Sequence, residues 1–341
     1  DSSAVTETTL ISMLTSETTL LIVSQAVTSC NGSLRKHGTP SFPPYGKWSP
    51  EVAILILAHT NPEQLLRLTA HLQPDFDVFV HLDKASTIRI EDFQIFHRAR
   101  VFKKFRARWG TLAIVHTMLE LLARASAAGP YDRYVFISGL DVPVMSNQKI
   151  AEYFFTHQDT DFVDIQRFVE GEKRRLTRLT RFHFFSRRTS AGAPAQLRGA
   201  ASRLIDQTLH KAGVRRKNNY DFRWGSQWMD LTRATAESTL RFIKSDRRFL
   251  RRFRFTFCPD EFVFQTAIHQ HQNTSRKQAK PARFIDWDTG PEHPRVLRTE
   301  DFDRIIASGM LFARKCDSRV DTALVDQLFA LANAEAAGEV Q

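Results

Sequence analysis

Regular patterning begins at Val52. Seven apolar residues, Val52–Ala58, form an uninterrupted run of strand length. His59, Thr60, Asn61 and Pro62 break it, and Leu65, Leu66, Leu68 and Leu72 then recur at helical spacing. Asp77–Leu82 is a second strand-like run that ends in Asp83 and Lys84. Strand, helix, strand is a βαβ unit, and its apolar strands predict a parallel sheet covered on both faces. Val101 and Phe102 follow as a short strand, then a helix carried by Ile114, Val115, Met118, Leu119, Leu121 and Leu122 and stopped by Gly129 and Pro130. A buried strand over 134–137 runs into Ser138-Gly139-Leu140-Asp141-Val142-Pro143. Further on the pattern predicts a strand over 162–166, a helix around 196–212, a loop and strand over 223–231, and a helix over 234–243. Cys258 and Pro259 then turn the chain into Asp260, Glu261 and the apolar Phe262, Val263 and Phe264. This reads as a helix start with Asp260 as N-cap and Glu261 in the first turn. A short strand over 283–287, a helix opening at Thr299, a segment over 311–315 and a last helix from about Asp321 complete the chain. The fold class is α/β, with a mostly parallel sheet and helices on both faces.

No internal repeat and no domain boundary are visible after about residue 50. Residues 1–50 are rich in Ser and Thr and then in Gly and Pro, and predict a poorly structured arm ahead of a single domain over 51–335. The most apolar N-terminal stretch, residues 10–27, carries Glu17 and falls short of the ~20 apolar residues of a spanning helix. No basic region precedes it, so it is a poor signal peptide. Asp1 stands where a Met would start a chain, which leaves room for an upstream anchor. Asn31 and Asn273 open glycosylation sequons, a pattern common by chance.

Composition changes this picture in two ways. The three cysteines, Cys30, Cys258 and Cys316, are too few and too scattered for a disulfide framework or a zinc site, which leans toward a reducing compartment. The net charge of +11 is concentrated: residues 167–254 hold 23 Lys and Arg against 7 Asp and Glu, and the rest of the chain is slightly acidic. A basic middle segment suits a polyanionic partner, whether nucleic acid, an anionic membrane surface or a phosphorylated substrate, or else a solvated Arg-rich surface.

The chemistry narrows by elimination. The sequence has no Walker P-loop, no dinucleotide glycine fingerprint, no serine-nucleophile elbow and no metalloprotease helix. Ligands of open α/β sheets gather beyond the carboxyl ends of the strands, where His59, Asp83 and Asp141 fall. Asp159 and Asp161 resemble a metal-holding D-x-D pair, but they precede the predicted 162–166 strand instead of following one. Without a metal, a diphosphate needs Lys or Arg as counter-charge. Arg295, Arg314 and Lys315 lie near loops that can supply it. Glu261, held at a helix start among aromatic residues, is a candidate general base, although an acidic first turn is also an ordinary helix feature.

Seven stretches, in order, resemble one family: Ile56-Leu57-Ala58-His59, His81-Leu82-Asp83-Lys84, Trp109-Gly110, Ser138-Gly139-Leu140-Asp141-Val142-Pro143, Gly225-Ser226-Gln227-Trp228, Pro259-Asp260-Glu261 and Phe312-Ala313-Arg314-Lys315. They are similar to the branching β-1,6-N-acetylglucosaminyltransferases and peptide O-xylosyltransferases, glycosyltransferase family 14. The resemblance covers roughly 52–331. It implies a GT-A fold, a UDP-sugar donor with GlcNAc ahead of xylose, and an inverting transfer without a metal cofactor to a hydroxyl of a glycan acceptor. Glu261 falls on the family's catalytic base. His59, Asp83, Arg106 and Asp141 fall in the donor region. Lys315 and its neighbour Arg314 fall on the diphosphate-neutralising position, and Arg295 on a second one. Asp164, Lys173, Arg175 and Trp287 lie where the family contacts its acceptor, within or near the basic segment. Cys316 departs from the family's usual aromatic residue. The Cys-poor form resembles a bacterial member, cytoplasmic or peripheral at the inner membrane face, acting on a glycan, glycolipid or glycoprotein with possible contact to anionic lipid. A competing reading is a basic nucleic-acid- or glycan-binding protein without catalysis, since aromatics interleave with Arg between Arg181 and Arg187.

Overall fold

The computed structural model describes residues 51–169, 171–184, 193–216, 219–271, 277–290 and 294–337. The predicted N-terminal arm, both sequons and Cys30 lie outside them. The strands are β1 (Val52–Ala58), β2 (Asp77–Leu82), β3 (Ala99–Phe102), β4 (Arg133–Ser138), β5 (Val142–Pro143), β6 (Thr160–Phe162), β7 (Asp230–Thr232), β8 (Lys277–Ala279), β9 (Arg283–Ile285) and β10 (Phe312–Arg314). The helices are α1 (Pro62–Leu72), α2 (Leu112–Ala128), α3 (Asn147–Thr156), α4 (Lys173–Thr180), α5 (Ala193–Lys211), α6 (Arg233–Ser245), α7 (Arg247–Arg252), α8 (Val263–His271), α9 (Phe302–Ala307) and α10 (Thr322–Ala337).

Seven strands form one sheet in the order β3-β2-β1-β4-β7-β6-β8. The pairs β1–β2, β1–β4, β2–β3 and β6–β8 are parallel, and β7 runs antiparallel between β4 and β6. A second sheet, β5-β10-β9, joins β10 to β5 antiparallel and to β9 parallel. The mostly parallel sheet with helices on both faces is the α/β architecture that the apolar runs predict.

Strand alternation sorts the core. Val52, Ile54, Ile56 and Ala58 point to the face covered by α1, α3 and α10, where Leu65, Leu68, Ile150, Phe154, Leu324 and Leu328 pack. Ala53 and Leu55 point to the other face, against Val115, Met118 and Leu122 of α2 and Ala236, Val263 and Phe264 of α6 and α8. Both faces of β1 are buried, which is why it reads as a continuous apolar run and not as an alternating one.

Two of the boundaries that differ from the sequence expectation bear on carboxylates singled out there. The strand expected over 162–166 is Thr160–Phe162, so Asp161 lies inside it. Its carboxylate is fully buried, accepting from Thr232 N at 2.8 Å and Thr235 Oγ1 at 2.5 Å, and so ties β6 to the start of α6. The helix start expected at Asp260 is a 3-10 turn, Pro259–Glu261, whose N-cap is Cys258 at φ 49, and the α-helix begins only at Val263. Asp260 caps nothing: it is buried, with Oδ1 unpartnered among the described residues, and burial together with the Glu261 charge pushes its carboxyl up to about 7. Cys258 and Cys316 are buried free thiols whose pKa burial raises, so neither is poised as a nucleophile. Among the described residues no helix is long and apolar enough to cross a membrane.

Candidate active site

The carboxyl ends of β1 and β2 place His59 and Asp83 side by side, because the two strands pair in register from Ala53 to Ala58. Asp83 N donates to Ala58 O at 2.7 Å. The Asp83 carboxylate in turn accepts from Ala85 N and from Ala107 N, each at 2.7 Å, and so fixes the loop that carries Arg106. His81 steadies the same loop, its Nε2 accepting from Phe105 N at 3.0 Å, which requires that nitrogen to be unprotonated. The Arg106 side chain is exposed and has no hydrogen bond or ion pair among the described residues.

Lys315 reaches this edge from the far end of the chain. Asn61, the N-cap of α1 at φ 55, donates through Nδ2 to Asp317 Oδ1 at 2.9 Å. Gln64 donates to Cys316 O at 3.0 Å, and its Oε1 accepts from Ser318 N at 2.8 Å. The first turn of α1 therefore grips the segment just after Lys315. His59 feels the result: its pKa is lowered first by the surrounding protein, although the ring keeps solvent contact, and Lys315 and Arg319 push it the same way against Asp83.

Beneath this edge the two sheets are joined by buried charges. Asp141 is fully buried, and its Oδ2 accepts from Ser138 N at 2.8 Å, Ser138 Oγ at 2.5 Å and Arg314 Nη1 at 2.8 Å. Its Oδ1 lies 3.4 Å from Arg283 Nε, and Arg283 Nη2 bonds Asp230 Oδ1 of β7 at 2.8 Å. Burial pushes the Asp230 carboxyl upward and lowers the Arg314 guanidinium, while the opposite charge of Arg283 in the first case and Asp141 in the second resists each shift. Arg314 also lies over the Trp228 ring at 4.0 Å. Asp141 and Arg314 thus face the protein interior. Arg295 is likewise occupied, bonding Asp301 Oδ1 at 2.5 Å, Asp286 Oδ2 at 3.2 Å and Thr289 Oγ1 at 3.0 Å. Trp287, in the same loop, is exposed.

Glu261 ends the turn that Cys258 opens, and Cys258 N donates to Gly110 O at 3.1 Å. The Glu261 side chain is 34% exposed, and Oε2 lies 2.9 Å from Arg178 Nη1. Arg178 is itself fixed, through Nε to Phe257 O at 3.0 Å and Nη2 to Cys258 O at 3.1 Å, and it lies over the Phe262 ring at 4.8 Å. Glu261 Oε1 has no hydrogen bond among the described residues. Trp109, half exposed, meets Phe257 edge to face with ring centroids 5.2 Å apart. Gly110 (φ 75) allows this approach: a Cβ there would come within 2.9 Å of the Phe257 ring.

Gly225 brings Asp164 to Glu261. Its N–H donates to Glu261 O at 3.0 Å, and a Cβ on it would sit 1.8 Å from Asp164 O, so no larger residue fits. The Asp164 carboxylate accepts from Gln166 Nε2 at 2.9 and 3.1 Å. Arg175 lies on α4, three residues before Arg178, stacked over Trp224 at 3.7 Å and bonded to Glu172 at 2.5 Å. Lys173 is exposed at the start of α4.

The structure therefore gathers His59, Asp83, Arg106 and Lys315 at one edge, and Asp164, Arg175 and Glu261 around α4. It buries Asp141 and Arg314 below the first group and engages Arg295 with carboxylates. Sequence reasoning passed over Arg178 and Trp224. The signal was available for Arg178, since i,i+3 spacing puts it on the same helix side as Arg175. Among the aromatics between Arg181 and Arg187, Phe182 and Phe184 pack on each other and on Phe255 instead of forming an open stacking platform. Residues 185–187 lie outside the described residues.

A family model described as Core-2/I-branching enzyme matches residues 52–306. Among curated proteins, the chain is similar to the Beta-glucuronosyltransferase GlcAT14B of Arabidopsis thaliana, 23% identical over 299 residues that cover 81% of this chain. The chain spans 65% of the length of that relative. Among solved structures, a 4-diphosphocytidyl-2C-methyl-D-erythritol synthase aligns over 76% of this chain and 98% of its own length, at 10% identity and a TM-score of 0.33. A likeness that low adds nothing to the topology already described.

Proposed function

This chain belongs to the Core-2/I-branching enzyme family of glycosyltransferases, and we propose that it moves a sugar from a UDP-sugar to a glycan hydroxyl with inversion, without a metal, using Glu261 as general base. The observation that carries this reading is the setting of Glu261: one carboxylate oxygen is held by a fixed Arg178 and the other is left open. In the proposed step Oε1 takes the proton of the acceptor hydroxyl. The acceptor oxygen forms a bond to the anomeric carbon, and the bond from that carbon to the β-phosphate oxygen breaks with its electron pair leaving on UDP. A positioned general base contributes about 10²–10⁴-fold. Lys315 faces the charge that develops on the diphosphate. His59, Asp83 and Arg106 bind the nucleotide side of the donor. Asp141 and Arg314 act from beneath as positioning residues for Lys315, and Arg295 sets the loop that carries Trp287. Asp164, Lys173, Arg175 and Trp287 line the acceptor side.

GlcNAc is the sugar we put first, with xylose next, and the relative's name adds glucuronic acid to the donors worth testing. The test is UDP release from UDP-GlcNAc, UDP-xylose and UDP-glucuronic acid, with and without EDTA, by the natural chain and by Glu261→Gln. We expect release from one donor that EDTA leaves unchanged, and a loss of at least about 100-fold in Glu261→Gln with UDP affinity retained. Near-normal turnover by the variant would remove Glu261 from the mechanism, and loss of activity with EDTA would overturn the metal-free scheme.

A further inference from the structure

Next to the Glu261 site the surface opens into a recess of about 410 Å³, within the size range of small-molecule sites. Two of its walls are shared with the site. Phe168 lines the recess and stacks on Phe262, the residue after Glu261, with ring centroids 6.2 Å apart and planes 9° from parallel. Leu176 also lines it, and comes from α4, the helix that carries Arg178 to Glu261. Tyr220 and the buried Phe222 also line it.

The charges in the recess are unevenly engaged. Arg223 is nearly buried and holds Asp221 through both carboxylate oxygens, while its Nη2 also lies 2.7 Å from His269 Nε2. That pair is electrically closed, and the Arg223 contact keeps the Asp221 carboxyl below its usual pKa. Arg167 is different. Only its backbone carbonyl is used, by Trp224 Nε1 at 3.3 Å, and its exposed guanidinium has no hydrogen bond or ion pair among the described residues. The recess therefore offers aromatic and aliphatic faces plus one available fork of donors.

We infer that this recess is an extended acceptor subsite that holds the sugar unit next to the one being glycosylated, and that it selects acidic glycans. A pyranose ring packs its C–H face on the aromatic side chains, and a carboxylate on that ring meets Arg167 in the planar geometry guanidinium favours. The inference rests on Glu261 marking the transfer site.

The experiment measures binding of hyaluronan and oligogalacturonan tetrasaccharides, and of their carboxyl-reduced forms, to the UDP-saturated chain by calorimetry. At least one acidic tetrasaccharide binds about tenfold tighter than its reduced form, the scale of one charge-assisted contact. Arg167→Glu removes that difference and leaves UDP affinity unchanged. Leu176→Trp, which fills the recess, weakens both forms. Equal binding of acidic and reduced forms, or a preference that survives Arg167→Glu, overturns the inference while UDP binding still stands. Failure of the natural chain to bind UDP would instead bring down the transferase reading, and the subsite with it.

Discussion

Between the two sheets, Asp141, Asp230, Arg283 and Arg314 have lost their water and answer one another. At the surface near Glu261, Arg167, Lys173 and Arg174 keep theirs, and Glu261 and Arg178 are only partly covered. The same residue types serve different ends. A buried pair gains little net stability over an apolar pair, yet removing one member leaves a charge without water or partner. Such a network holds Lys315 in one place, and it tolerates no loss. Exposed cations contribute little to folding, so that surface can vary while the buried frame stays fixed.

The largest effect that would test this contrast is on stability. Asp230→Ala takes the closer of two carboxylates from buried Arg283, leaving only Asp141, which Arg314 also uses, and should cost about 3 kcal/mol in urea unfolding, whereas Arg174→Ala should change stability by less than about 0.5 kcal/mol. Similar losses for the two would erase the distinction. A smaller effect separates the frame from the ligand contact. Lys315→Ala should leave unfolding nearly unchanged but weaken UDP binding by about tenfold more than uridine binding, measured by calorimetry. Equal losses for both ligands would deny Lys315 a diphosphate role.

A third effect is a pH dependence at the far end of α1. Burial lowers the pKa of His71 from 6.5 to about 4, and its Nε2 has no partner among the described residues. The folded state refuses a proton that the unfolded chain accepts, so stability is full above about 6.5 and is lost as pH falls toward about 4. His71→Phe should flatten the change in unfolding midpoint between pH 7 and pH 5. An unchanged slope would assign that loss to other groups.

The sequence by itself determined the sheet and its edge. The apolar run at Val52–Ala58 could only be a strand buried on both faces, and the polar residues that end β1 and β2 had to fall where ligands gather. The ordered motifs pointed to the family. Short elements with mixed patterns were less legible, as the strand at Thr160–Phe162 shows: three residues carry too little periodicity to fix a boundary. Only the tertiary structure decided which charges remain available. Asp141, Arg314 and Arg295 look in sequence like Asp83, Arg106 and Lys315. Their difference arises from partners far away in the chain, 173 residues between Arg314 and Asp141. Arg178 became visible for the same reason, since its carboxylate partner lies 83 residues further on. Local pattern records the period of a helix or strand, but burial and charge pairing depend on residues that meet only after the chain has closed on itself.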